Sequence, residues 1–298
     1  MPRKILSIGH AYIDVTFVTD HMPTGDEKHV GQDYAFCMGG NAMNAGLTSA
    51  KLGVRTDLLM PVADDDLGQY TQFHLGKLDN VTLIKRRVNR SSLSLLLPNG
   101  DRRAIVRVRD AEYGPVPPVD MRRYFALHVD GHQPAAAEKY ARDAKAAGVL
   151  TSLDGGSFRP TTDALLPFID VAVVSERFCE QLELTPAKTL NYLADKGVKI
   201  AAVTLGSKGI VWKENGGKTR KLTAIKLPKG AVVDSSGAGD VFHGAYLTSY
   251  VENPDADWAD HFTFARSASA LAVQVLGTEI SIPDRSAVDE MMKKHPNK

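Results

Sequence analysis

Short apolar runs alternate with longer amphipathic ones along most of this 298-residue chain. Residues 5–8 are apolar and closed by Gly9, which predicts a buried strand. Residues 42–52 follow a glycine pair, stop at Gly53 and read as a helix. Farther on, 124–129, 135–147 and 149–153 read strand, helix, strand, with the alanine-rich helix ended by Gly148. Residues 171–174, 187–196 and 200–204 repeat that order. Strands that alternate with helices pair in parallel through crossover connections, so the expected fold class is α/β with a mostly parallel sheet. Ligands of such sheets collect beyond the carboxyl ends of the strands. Asp14, residues 204–209 and the turn at Asp234 all fall in connections after predicted strands.

The rhythm breaks at 91–97 and 102–108, two β-like runs joined by Pro98-Asn99-Gly100-Asp101, a hairpin signal. In the second run Ala104, Val106 and Val108 face one side, and Arg103, Ile105, Arg107 and Arg109 the other. A solvated edge that uses charge against aggregation accounts for this basic face as well as a functional role does.

Charge narrows the partners. With 36 Lys+Arg against 35 Asp+Glu the net charge is +1, which argues against a polyanion binder and, with few aromatics, against a nucleic-acid partner. At 43% hydrophobic the chain can bury a sizeable core. The two cysteines, Cys37 and Cys179, suggest neither a disulfide framework nor a metal site, and Cys37 reads as a packing residue. The first apolar run is too short for a signal-peptide core and none approaches membrane-spanning length. The expectation is a reduced, cytoplasmic protein with no membrane partner.

The richest chemistry lies in Asp234-Ser235-Ser236-Gly237-Ala238-Gly239-Asp240, which opens an apolar helix. Such a turn can aim several backbone N–H groups, at the positive end of a helix, at one anion, with Asp240 beside it as a base. Phosphoryl transfer needs that pairing. A plain glycine-rich helix start, with Asp240 serving the helix dipole, fits the segment alone equally well.

A second segment, Gly39-Gly40-Asn41-Ala42-Met43-Asn44, lies about 200 residues upstream. Together the two resemble the ribokinase-like (PfkB) carbohydrate and nucleoside kinases, in which a Gly-Gly-x-x-x-Asn segment binds the sugar and a D-[ST]-x-G-A-G-D segment holds the anion hole and base. Residues 5–14 resemble that family's opening strand ending in a sugar-binding Asp. Val62-Ala63-Asp64-Asp65-Asp66-Leu67-Gly68 is similar to its V-G-D-D-x-x-G, and Val203-Thr204-Leu205-Gly206-Ser207-Lys208-Gly209 to its V-T-L-G-x-x-G. The string Gly-Gly-Asn-Ala-x-Asn looks more like the ketohexokinase branch than ribokinase itself, and the lack of an N-x-x-E segment after 171–174 leans toward the ketohexokinase and sulfofructose-kinase branches.

The resemblance implies a three-layer α/β/α fold, 1–298 as one domain, with a small β lid formed by about 10–36 and 88–112, through which two copies pair. It implies ATP, Mg2+ and a small sugar substrate. Catalysis falls to Asp240 with the amides of Gly237, Ala238 and Gly239. The sugar falls to Asp14, Gly39, Gly40, Asn41 and Asn44, with Lys28, in an expected lid strand at 28–34, and Arg107 reaching an acidic substituent. Thr204, Gly206, Gly209 and Ser236 line the nucleotide groove, since no G-x-x-x-x-G-K-[ST] loop is present. Residues 264–271 resemble the helix beside the adenine. A monovalent cation such as K+ is implied near Asp234, Ser236 and 277–281. The chain departs from the family where Ser175-Glu176-Arg177-Phe178 replaces N-x-x-E, leaving the residue that organises Mg2+ unnamed. The implied activity is ATP-dependent phosphorylation of a sugar hydroxyl. A nucleoside kinase and a non-catalytic sugar sensor are the alternatives.

Overall fold

The computed structural model describes residues 3–99 and 102–296. In chain order the first half forms β1 (Lys4–Ile8), β2 (Tyr12–Val18), β3 (Asp33–Gly39), α1 (Asn41–Lys51), β4 (Arg55–Val62), α2 (Asp66–Leu75), β5 (Val81–Arg87), β6 (Leu93–Asn99) and β7 (Arg102–Val108). Then come β8 (Ala126–Val129), α3 (Pro134–Ala146), β9 (Leu150–Gly155), α4 (Pro160–Leu165), β10 (Val171–Ser175), α5 (Glu176–Gln181), α6 (Pro186–Asp195) and β11 (Ile200–Thr204). The chain ends with β12 (Ile210–Glu214), β13 (Arg220–Leu222), α7 (Ala238–Glu252), α8 (Trp258–Ala272) and α9 (Arg285–Lys294).

Nine strands make one sheet, ordered β13-β12-β11-β10-β9-β8-β1-β4-β5, parallel from β11 to β5 and antiparallel at the β12 and β13 edge. Its central strands, β1, β4 and β8 to β11, are buried on both faces, as a parallel sheet covered by helices requires. Ile5, Val171 and Val173 face a core shared with α1, α7 and α8, while Leu6, Ala172 and Val174 face one shared with α3, α5 and α6. The three-layer α/β expectation therefore holds. No helix among the described residues is long and apolar enough to cross a membrane.

The second sheet is mixed, ordered β3-β2-β6-β7. The expected hairpin is there as β6 and β7, although Gly100 and Asp101 of its turn lie outside the described residues. Two expectations need correction. Asp14 lies inside β2 and not at a strand end, because Gly9, His10 and Ala11 lead the chain out of the central sheet and a new strand begins at Tyr12. Lys28 lies in no strand: β3 starts at Asp33, where apolar alternation begins, and the Lys28 side chain is exposed in the preceding loop.

Candidate active site

Helices α1 and α7 cross closely because Gly244 has no side chain. A Cβ there would overlap the Ala45 carbonyl and Thr48, and Ser49 Oγ donates to the Gly244 carbonyl at 3.0 Å. That crossing sets the first turn of α7 against the polar end of α1. Asn44 Nδ2 donates to Asp240 Oδ2 at 2.8 Å, and Asn41 Nδ2 donates to Asp154 Oδ2 at 2.9 Å. Asp240 is enclosed by protein yet keeps partial access to solvent. Burial first, then the charge of Asp154, pushes its carboxyl well above the usual carboxylate range, and the single Asn44 donor opposes this only in part.

The turn before α7 is shaped from within. Asp234, buried, accepts from the Ser236 amide at 2.8 Å and the Gly277 amide at 3.2 Å, tying the turn to loop 277–281. Gly237, the N-cap of α7, takes φ 75°, a left-handed conformation suited to glycine, which has no side chain to cap the helix. The first-turn N–H groups have no intrahelical acceptors, and their turn lies beside the Asn44–Asp240 contact.

On the other wall the sheet register aligns Asp14, Ser94 and Arg107 in one cross-strand row. Arg107 Nε donates to Ser94 Oγ at 3.1 Å, and its guanidinium lies 5.1 Å from the Tyr12 ring centre. Thr278 Oγ1 donates to Asp14 Oδ2 at 3.1 Å. Burial raises the Asp14 carboxyl, against the pull of the Ser94 and Thr278 hydroxyls. A Cβ at Gly39 would overlap that carboxylate, and Gly40, at φ 111°, lies against the His10 carbonyl. Asp14 Oδ1 and Asn44 Oδ1 are buried without a hydrogen-bond partner among the described residues.

Residues the sequence reading passed over complete this wall. Asp130 follows β8 and accepts from the amides of His10 and Ala42, each at 3.2 Å, and from that of His132 at 2.9 Å. Burial alone would raise its carboxyl, but His132 and these amides more than offset that and hold it well below the usual range. His10, lowered to about 3 by burial and by His132, stays neutral. Asp154 is the penultimate residue of β9. Both carboxylates sit at the carboxyl ends of apolar parallel strands, the signal that marks residues 204–209, and the same rule applied to mid-chain finds them.

A 284-residue stretch, 2–285, matches the family model for pfkB family carbohydrate kinases. The chain belongs to that family. This carbohydrate kinase is 25% identical over 316 residues to the ribokinase of Haemophilus influenzae, covering 98% of this chain and 99% of that one. It is 27% identical over 300 residues to the ATP-dependent ribose-1-phosphate kinase of Halopiger xanaduensis, with 96% of each covered. Among solved structures, Arabidopsis thaliana ribokinase complexed with ribose and ATP superposes with a TM-score of 0.83 at 26% identity, over 98% of this chain and 99% of that one. The protein is thus a phosphotransferase of an ATP-using family.

Elsewhere the kinase departs from simple expectation. Gly206 and Gly209, at φ 54° and 100°, shape a turn after β11, and Thr204 Oγ1 donates to the Val174 carbonyl. Residues 264–271 lie within α8, but Arg266 donates to the carbonyls of Thr223 and His295 and so serves the fold. Glu176, in the altered N-x-x-E segment, pairs with Lys208 at 3.2 Å. Among the described residues only Asp20, His21 and His29 bring three metal-ligating atoms together, in the loop between β2 and β3, where His21 is already paired with Asp20 and Glu27.

Proposed function

We propose that this enzyme transfers the γ-phosphoryl group of ATP to a hydroxyl of a small carbohydrate. The carrying observation is the 2.8 Å contact between Asn44 and Asp240, which joins the segments expected to hold acceptor and donor, 196 residues apart, in one cleft. The unpartnered Asp14 Oδ1 and Asn44 Oδ1 support it, since buried acceptors without donors suit a site completed by substrate hydroxyls. On this reading Asp14 and Asn44 hold the acceptor over Gly39, Gly40 and Asn41. Its hydroxyl proton passes to Asp240 as the oxygen bonds to the γ-phosphorus, and the bond from that phosphorus to the ADP oxygen breaks. The amides of Gly237, Ala238 and Gly239 stabilise charge on the transferring group. Thr204, Gly206, Gly209 and Ser236 face the nucleotide.

Mg2+, when bound, would neutralise the donor phosphates. Glu176 is engaged by Lys208 and Asp234 by two amides, so an ion held through phosphate oxygens and water fits this cleft better than one caged by carboxylates. Oxygens of Asp234, Ser236 and loop 277–281 are the candidates for K+. The second sheet, with its flanking segments 10–36 and 88–112, acts as the lid over the acceptor, and its outer face pairs with a second copy. Two free, buried cysteines suit the cytoplasm.

Arg107, set beside Asp14 through Ser94, favours a furanose-forming acceptor that carries an acidic group. The name of the Halopiger relative, a ribose-1-phosphate kinase, agrees with such an acceptor. Lys28, exposed in its loop, adds little. The test is ADP release screened over neutral sugars, sugar acids, sugar phosphates and nucleosides, with Asp240→Asn as the control. Turnover confined to nucleosides overturns the sugar reading in favour of a nucleoside kinase. Sugar binding without turnover leaves a sensor.

A further inference from the structure

Behind the Asp240 cleft runs a line of buried polar side chains that the mechanism above does not use. His128 on β8 faces its register partner Ser152 on β9, with Nδ1 3.0 Å from Ser152 Oγ. Ser152 Oγ lies 2.5 Å from the Tyr246 hydroxyl, which lies 3.1 Å from His243 Nδ1. His243 Nε2 is 3.5 Å from Asp154 Oδ1, which also accepts from the Gly156 amide at 2.8 Å. All five side chains are at least nine-tenths buried.

The direction of these hydrogen bonds is fixed by one orphan atom. Burial keeps both imidazoles neutral, His128 lowered to about 3 and His243 lowered also, so each carries one N–H. His128 Nε2 is buried with no hydrogen-bond partner among the described residues. An N–H there would be a buried unpaired donor, which is rare and costly, whereas a bare lone pair is tolerated more easily. His128 therefore donates from Nδ1 to Ser152, Ser152 donates to Tyr246, and Tyr246 donates to His243 Nδ1. That leaves the His243 proton on Nε2, directed at Asp154. Asn41 donates to Asp154 Oδ2 and the Gly156 amide to Asp154 Oδ1, so the carboxylate is held from two sides with the His243 ring on a third.

We propose that Asp154 is a positioning residue for phosphoryl transfer: bonded to Asn41, one turn of α1 before Asn44, and facing His243, one turn of α7 after Asp240, it stands at the end of this chain from His128 beside Asp240 and strengthens Asp240 as a proton acceptor. The proposal rests on the reading of Asp240 as base. A neighbouring carboxylate makes a desolvated acid a stronger proton acceptor. Asp154 accepts hydrogen bonds from Asn41 and the Gly156 amide and faces His243 Nε2 at 3.5 Å, while Asp240 accepts one from Asn44. The other ionisable groups acting on Asp240 are Asp14 from β2 and Asp130 after β8, both acidic, so they add to the effect and do not cancel it.

The test is the pH profile of kcat/KM for Asp154→Asn in the full enzyme. Native activity falls on the acid side as Asp240 takes up its proton. Without the neighbouring charge this limb should move at least one pH unit lower, while the plateau drops about tenfold because the base is weaker. Asp154→Ser, smaller and neutral, should move the limb the same way. NMR of labelled histidines should find His128 protonated at Nδ1 and His243 at Nε2. A limb that stays in place while activity falls equally at every pH, in whichever variant folds, overturns the proposal, as does the opposite pair of tautomers. Loss of Asp240 as base would show instead as unchanged turnover in Asp240→Asn.

Discussion

The two glycine segments that meet in the cleft differ in what their glycines are for. At Gly39 and Gly40 a side chain would strike protein: the Asp14 carboxylate at one, the His10 carbonyl at the other. At Gly239 a Cβ would meet nothing within 4 Å. Close packing within the chain therefore demands the first pair, whereas no clash in the protein itself demands Gly239, the second glycine of Gly-Ala-Gly. Space left open beside unsatisfied helix amides is space for a ligand. On the proposed reading the acceptor wall is built by the fold, and the donor wall is completed by the nucleotide.

Asp240→Asn should break the donor side most severely. General-base assistance is worth ~10² to 10⁴ in rate, so kcat should fall by about that factor with acceptor affinity largely kept. Stability should move the other way. The folded carboxyl binds its proton more tightly than the unfolded one, so this group's contribution is full below the unfolded pKa and is lost as pH rises through the raised folded value. Asparagine cannot ionise, hence the variant should melt at a higher temperature than the native enzyme at neutral pH and at the same temperature in acid. Melting curves at several pH values check the sign; an Asp240→Asn protein that melts lower at neutral pH contradicts the buried, unfavourable carboxylate.

Next in size is a paired test of the glycines. Gly39→Ala forces the Asp14 carboxylate aside, an overpacking that costs about 1–3 kcal/mol and should raise KM for the acceptor. Gly239→Ala lies in the first helical turn without steric conflict and should leave stability unchanged or improve it by ~0.4–1 kcal/mol. Its cost should appear in KM for ATP. Equal destabilisation by both substitutions would erase the distinction between the two walls.

The same distinction explains what could be read from the chain beforehand. Strands buried on both faces announce themselves as apolar runs, so 171–174 and 200–204 appear in the structure within a residue of the expected bounds. Asp240 and Asn44 were legible because glycine spacing carries local backbone chemistry. Asp130 and Asp154 were not singled out, since each is a lone acid whose meaning comes from partners 88 and 113 residues away, Ala42 and Asn41. Lys28 failed for the converse reason: its composition suited a lid strand, but strand register begins only where alternate side chains find a buried face, at Asp33.

Arg107 sharpens the acceptor side. Hydrogen bonds to charged groups contribute ~1.5–3 kcal/mol, so Arg107→Ala should raise KM about tenfold or more for an acidic acceptor, with kcat within about twofold. For a neutral sugar the change should be small. A loss that is equal for neutral and acidic acceptors would reduce Arg107 to a support for Tyr12 and Ser94.

The smallest effect on chemistry is expected from the outer face of the lid. Register places Phe36, Val15, Leu95 and Val106 in one row on the side away from Asp14, next to the Tyr34 and Phe17 pair. Val106 is 63% exposed, Tyr34 66% and Phe17 40%, an apolar face of a kind that soluble proteins cover. A second copy is the economical cover, because one face then shields the other and the edge strand β7 gains a neighbour. Val106→Glu puts a charge into that contact without touching the row of Asp14, Ser94 and Arg107 on the opposite side. Sedimentation at micromolar concentration should find the native enzyme dimeric and the variant monomeric, with kcat changed less than about twofold, since interfaces of this type depend on buried apolar centres intolerant of unpaired charge. A native enzyme that sediments as a monomer would leave this face to another partner and confine the lid's role to the acceptor beneath it.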